Sequence, residues 1–272
     1  MALDMSGHFL TILLAQTGPH TAPIDTSLNP TETLTADIAF WVGCGLLAAT
    51  ACIFGLGFRS AKREKWEEFY LNNFIITSWA ACSYLAMALH QGELDLPGEQ
   101  ITGGTQPRHV YWARYADWVV TTPIILYDLT KLSGVRPVVQ RAIIYSDIAM
   151  IISGFIAAVS PYGQRMVWYI VSCMFEVAIF VLLLGPVLKS ARRQYSTVTK
   201  LFTQALVIFS VFFWLYPVVW ILGNKGLGIY GSTIETILTL CLDITAKVFY
   251  GFYLTRDREI LQRVGELTQV EG

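Results

Sequence analysis

Seven apolar stretches, each bounded by charged or turn-forming residues, dominate the chain: residues 36–58, 71–91, 110–130, 138–160, 165–188, 199–222 and 231–254. A helix needs about 20 residues to cross a hydrocarbon core, and every stretch reaches that length. Seven such stretches within 272 residues leave connections too short for a separate soluble domain. The pattern predicts an all-α fold, a seven-transmembrane-helix bundle over residues 36–254, with an N-terminal arm over 1–35 and a tail over 255–272. Charged residues make up 14% of the chain, against about 25% in an ordinary soluble domain. A soluble enzyme, a disordered chain and a nucleic-acid binder do not tolerate so much uninterrupted apolar sequence. The expected setting is the cell membrane, crossed several times and surrounded by lipid. Between Gln91 and Arg108, Pro97, Gly98, Gly103 and Gly104 indicate a turn or small hairpin.

Orientation follows from the basic residues. Of the nineteen Lys and Arg, fourteen follow the first, third, fifth and seventh stretches; Arg108, Arg165 and Lys225 fall on the other side, and Arg114 and Lys247 lie within stretches. The excess of Lys and Arg on cytoplasmic loops places the C-terminus in the cytoplasm and the N-terminus outside. No basic segment precedes the short apolar piece Phe9 to Ala15, so the first 35 residues read as an extracellular amphipathic arm rather than a cleaved signal. Cys44, Cys52, Cys82, Cys173 and Cys241 all lie in apolar stretches without metal-ligand or disulfide spacing, and are expected to be small core residues.

Charges inside the membrane carry the functional information. Lys247 stands midway along the last stretch, too deep for an easy reach to water, with Asp243 one helical turn before it on the same face. An ionisable group there is costly and is functional by default; a pair that merely fixes helix packing is the weaker reading, because buried ion pairs are rarely net stabilising. An amine so placed suits covalent attachment of a carbonyl ligand as a Schiff base. In the third stretch Tyr111 precedes Arg114, Asp117, Thr121 and Asp128, and these last four share a stripe of roughly 60° on a helix. Asp117 and Asp128 are eleven residues apart, about 16 Å along the axis, too far for a carboxylate dyad but suited to two stations on a proton path. Arg114 and access to water favour an ionised Asp117. Asp128, flanked by Ile124, Ile125 and Leu129, is expected to rest protonated, because burial penalises its charge. A static polar seam is the alternative reading of this stripe.

The run Tyr111-Trp112-Ala113-Arg114-Tyr115-Ala116-Asp117-Trp118, continuing to Thr121-Thr122-Pro123 and Asp128, closely resembles the third helix of microbial rhodopsins of the bacteriorhodopsin type. Asp243-Ile244-Thr245-Ala246-Lys247 resembles that family's retinal-attachment motif, and Tyr216-Pro217-Val218-Val219-Trp220 its sixth-helix pocket motif. The resemblance implies all-trans-retinal bound to Lys247 as a Schiff base, with Asp117 and Asp243 as counterions. It further implies Asp117 as proton acceptor, Asp128 as cytoplasmic donor, Arg114 as outward gate, Thr121 beside the acceptor, and Tyr84 and Tyr216 hydrogen-bonded near Asp243. Trp118, Tyr216, Trp220, Phe213, Met150, Ser153, Gly154, Tyr169 and Ser172 would line the polyene and ring. A homo-oligomer, a trimer by the resemblance, is the implied assembly; neither a metal nor a nucleic acid is an expected partner.

The chain departs from the bacteriorhodopsin pattern at four places. Phe213, with Trp214 beside it, stands for a pocket tryptophan, and Tyr169 for another. Glu176 replaces a methionine near the ring, where a carboxyl group would either tune colour or serve as a protonated, hydrogen-bonded packing residue or subunit contact. Lys225 replaces one of two extracellular release glutamates, leaving Glu235 as the other. The implied activity is outward proton pumping driven by light, not enzymatic catalysis. A photosensory receptor acting through a transducer is the first alternative, although it would commonly lack a carboxyl donor at Asp128. A chloride pump is the second, although a fixed negative charge at Asp117 opposes an anion at the Schiff base.

Overall fold

The computed structural model describes residues 30–61, 66–96 and 108–262. Seven long helices are present among them: α1 (Pro30–Ser60), α2 (Glu67–Ala88), α3 (Trp112–Ser133), α4 (Pro137–Val159), α5 (Tyr162–Leu182, running on through Leu183–Val187 to Leu188–Ala191), α6 (Ser196–Leu222) and α7 (Ser232–Asp243, then Ile244–Phe249 and Tyr250–Thr255). Each packs along its sequence neighbours, α7 returns to α1 and α3 also meets α6, which closes the bundle. A two-stranded antiparallel hairpin, β1 (Leu94–Leu96) and β2 (Arg108–Val110), joins α2 to α3 with Asp95 opposite His109. The centre of that connection, most of the N-terminal arm and most of the C-terminal tail lie outside the described residues.

The first helix begins at Pro30, six residues before the apolar stretch, so residues 30–35 belong to α1 and not to the expected arm. Proline at a helix start costs no hydrogen bond, and a helix leaving a membrane can continue through polar residues such as Thr33 and Thr35. Gly134, at φ 61°, ends α3 in the left-handed conformation that glycine adopts freely.

Burial is inverted relative to a soluble protein. Leu46, Ile53, Leu56, Val167, Met174, Val181, Val207 and Val211 are exposed on the outer helix faces, while Asn73, Arg114, Asp117, Asp128, Asp147, Glu176, Asp243 and Lys247 are buried inside. Only a lipid surround makes this arrangement favourable, with ionisable groups turned to the bundle interior. Helices α1 and α4 to α7 are long and apolar enough to cross a membrane by composition alone. Helix α2 carries Glu67, Glu68, Asn72 and Asn73 in its first two turns, and α3 carries Arg114, Asp117, Asp128 and Lys131, which makes both less apolar. Together these features define a multi-pass integral membrane protein. The cysteines correct one expectation: Cys52, Cys82 and Cys241 are exposed on outward helix faces rather than packed in the core, and all five are free thiols.

Two helices widen into π turns, at Leu183–Val187 around Pro186 and at Ile244–Phe249 around Lys247. Such a turn breaks the regular ladder and re-aims the side chains it carries. In α7 the re-aimed residue is Lys247.

Candidate functional site

Lys247 points into the bundle centre and is 2% exposed. Its Nζ donates to Asp117 Oδ2 of α3 at 2.8 Å and to Asp243 Oδ1 of α7 at 2.6 Å. The two carboxylates differ in their other partners. Asp243 also accepts from the Tyr84 hydroxyl at 2.7 Å, the Tyr216 hydroxyl at 2.8 Å and the Trp118 indole at 3.2 Å. Asp117 Oδ1 is buried and has no hydrogen-bond partner among the described residues. Hydrogen bonds to a carboxylate stabilise its charge, so the anion is held more firmly on Asp243 than on Asp117. Gly43 on α1 makes this possible, because a side-chain carbon there would overlap the Tyr84 ring. Thr121 donates to the Asp117 backbone carbonyl at 2.9 Å.

From Lys247 a slot lined by apolar and aromatic groups extends between α3, α4, α5 and α6. Its two adjoining parts share Thr122, Phe213 and Tyr216. Trp118, Met150, Gly154, Tyr169, Ser172, Glu176 and Trp220 line the far part. Trp220 stacks on Tyr169 with ring centroids 5.0 Å apart and donates its indole proton to the Tyr115 hydroxyl at 2.9 Å. Phe213 faces the slot, whereas Trp214 stacks on Phe180 and turns to the outer face, 42% exposed. Ser153 is not among the lining residues; its hydroxyl turns back to the Ala149 and Met150 carbonyls of its own helix. Glu176 closes the far end, with Oε1 buried and unpartnered among the described residues. Asp147 meets Thr122 at 2.6 Å beside the slot wall.

These residues fit a long conjugated aldehyde such as retinal. A buried amine with two carboxylates stands at one end, and flat aromatic walls continue from it. Retinal attached through the Lys247 nitrogen would be held between Trp118, Phe213 and Trp220.

Toward the hairpin end, the Arg114 guanidinium donates to Thr236 Oγ1 at 2.9 Å, lies 3.7 Å from Glu235 Oε1 and covers the Tyr111 ring. Lys225 is buried and hydrogen-bonded to Glu235 Oε1. Burial pushes the Lys225 ammonium below its ordinary pKa, although the Glu235 charge opposes this. In the hairpin, His109 bonds Glu93 at 2.8 Å and Asp95 at 2.5 Å. Burial works against the Glu93 carboxylate, but the hydrogen bond and charge of His109, with His90, outweigh it and hold its pKa below the usual value. At the opposite end, Asp128 Oδ1 accepts from Asn72 at 2.6 Å. Glu68 next to it is bonded to Lys131 and to the Tyr127 hydroxyl.

Sequence reasoning missed Asn72, the Glu68 to Lys131 pair and the Trp118 indole as an Asp243 donor. In the sequence Trp118 reads as a pocket wall and Lys131 as a loop cation; the structure places Lys131 in the last turn of α3. The one signal available was the polarity of Glu68 and Asn72 at the start of an apolar stretch.

Fold and site together define a seven-helix membrane protein built around a buried lysine, two carboxylates and an aromatic slot. Residues 34–260 match the family model for bacteriorhodopsin-like proteins, and the chain belongs to that family. It is 36% identical to the bacteriorhodopsin of a Haloterrigena species over 85% of this chain and 91% of that one. Among solved structures it is similar to a cyanorhodopsin from the cyanobacterium Calothrix, at 33% identity and TM-score 0.80, covering 85% of this chain and 98% of that one. It is also similar to a light-driven proton pump from Coccomyxa subellipsoidea, at 30% identity and TM-score 0.76, covering 81% and 95%.

Proposed function

We propose that this chain is a light-driven outward proton pump carrying retinal on Lys247. The observation that carries the reading is the placement of Lys247 between two unequal carboxylates, with a third carboxyl group, Asp128, buried beside Asn72 farther along α3. The proton-pumping relative from Coccomyxa supports it. Retinal, when bound, supplies light absorption and a light-induced change in the acidity of the Lys247 nitrogen. That nitrogen gives its proton to Asp117 Oδ2, which is 2.8 Å away and has fewer competing donors than Asp243. Tyr84, Tyr216 and Trp118 keep Asp243 ionised, so one negative charge remains fixed while Asp117 is neutralised. Asp128, held by Asn72 and 1% exposed, stores the proton that returns to the Lys247 nitrogen from the cytoplasmic side. Net transport requires access to that nitrogen to change between the two transfers.

Asp128→Asn tests the donor. The state with a deprotonated Lys247 nitrogen should form normally but decay slowly, more so as pH rises, because the proton must then come from bulk water. Azide should restore the decay by carrying protons. Flash photolysis showing normal decay of the variant at alkaline pH would exclude the donor role.

The order of release and uptake is a second expected result. Glu235 is engaged by the Lys225 ammonium and lies near the Arg114 guanidinium, and Glu93 is paired with His109, so among the described residues each of these acids meets a cation or an imidazole and not a second carboxyl group with which to share a proton. Uptake from the cytoplasm should therefore precede release, which waits for Asp117. A pH-indicator dye showing release in step with deprotonation of the Lys247 nitrogen would contradict this.

A further inference from the structure

The part of the slot next to Lys247 continues past it, bounded by Ile125, Phe209, Phe213, Ala246 and Tyr250. Tyr250 stands three residues beyond Lys247 on α7, and Asp128 three residues beyond Ile125 on α3, so both leave the cavity wall in the same direction. Tyr250 is 3% exposed and Asp128 1%. Neither the Tyr250 hydroxyl nor Asp128 Oδ2 has a hydrogen-bond partner among the described residues. Tyr250 belongs to the same buried cluster as Leu126 and Leu129, the turn of α3 that carries Asp128. The other charged groups near Asp128, Glu68 and Lys131, are paired with each other, and Tyr253 on α7 is engaged with Gln204. A phenol buried without a partner in an apolar wall is costly. Phenylalanine would fill the same space without that cost.

We propose that the Tyr250 hydroxyl relays the proton that leaves Asp128 on its way to the Lys247 nitrogen. The inference rests on the proton-pump reading. The phenol oxygen accepts a proton from the Asp128 side as its own O–H proton moves on toward Lys247, with water molecules as carriers where a gap exceeds one hydrogen bond. Tyr250 starts and ends neutral. The net change is an Asp128 carboxylic acid converted to carboxylate and one proton gained by the nitrogen.

Tyr250→Phe retains the ring and removes only the hydroxyl. Flash photolysis should show an unchanged rise of the deprotonated state and a decay slowed by about tenfold. Because Asp128 still holds its proton, that factor should stay constant with pH, whereas the slowing in Asp128→Asn should grow as pH rises. Wild-type decay in Tyr250→Phe, with slow decay in Asp128→Asn, would overturn the relay and leave the donor assignment standing. A Tyr250→Phe defect that slows rise and decay alike would also overturn it, since that marks altered packing. Wild-type decay in Asp128→Asn would instead remove the donor reading, and the relay with it.

Discussion

Lys247→Ala reconstituted with all-trans-retinal should show no visible absorption band. Lys247 is the lysine that lines the slot. Lys225, the other buried lysine among the described residues, lies in the loop between α6 and α7 and is committed to Glu235. Loss of attachment should therefore be complete rather than partial. The variant also leaves Asp117 and Asp243 facing each other without their shared cation, and breaking a buried ion pair costs about 3–5 kcal/mol. Circular dichroism separates the two effects: a helical protein without the band supports the attachment site, and a normal retinal band in the variant would remove it.

Asp117→Asn should stop light-driven transport, with flux falling to the level of the unilluminated control. The band should also move to longer wavelength. A negative charge 2.8 Å from the Lys247 nitrogen stabilises positive charge at that end more in the ground state than after excitation, so removing it narrows the gap. The chromophore should survive, because Asp243 keeps its three other donors and remains a counterion. Flux at wild-type rate in this variant would exclude Asp117 as acceptor.

What was legible in the sequence is what a single helix determines. The apolar stretches set the helices to within a few residues. Helical periodicity put Arg114, Asp117, Thr121 and Asp128 on one buried face, and the four-residue spacing put Asp243 beside Lys247. What stayed hidden depends on how helices are rotated against one another. The contacts of Asn72 with Asp128, Glu68 with Lys131 and Trp118 with Asp243 each join two helices, and no spacing along the chain encodes them. For the same reason Cys52, Cys82 and Cys241 read as core although they face outward, and Ser153 read as pocket although it turns to its own backbone. The start of α1 at Pro30 was missed because the hydropathy pattern ends where the helix leaves lipid, not where its hydrogen bonding ends.

The most direct test is the direction of proton movement under light. Cells carrying the protein with retinal, suspended in unbuffered medium and illuminated, should acidify that medium, and a protonophore should abolish the change. Alkalinisation enhanced by the protonophore would show anion import instead, and an unchanged pH with an active photocycle would show a receptor; either result would contradict the pump.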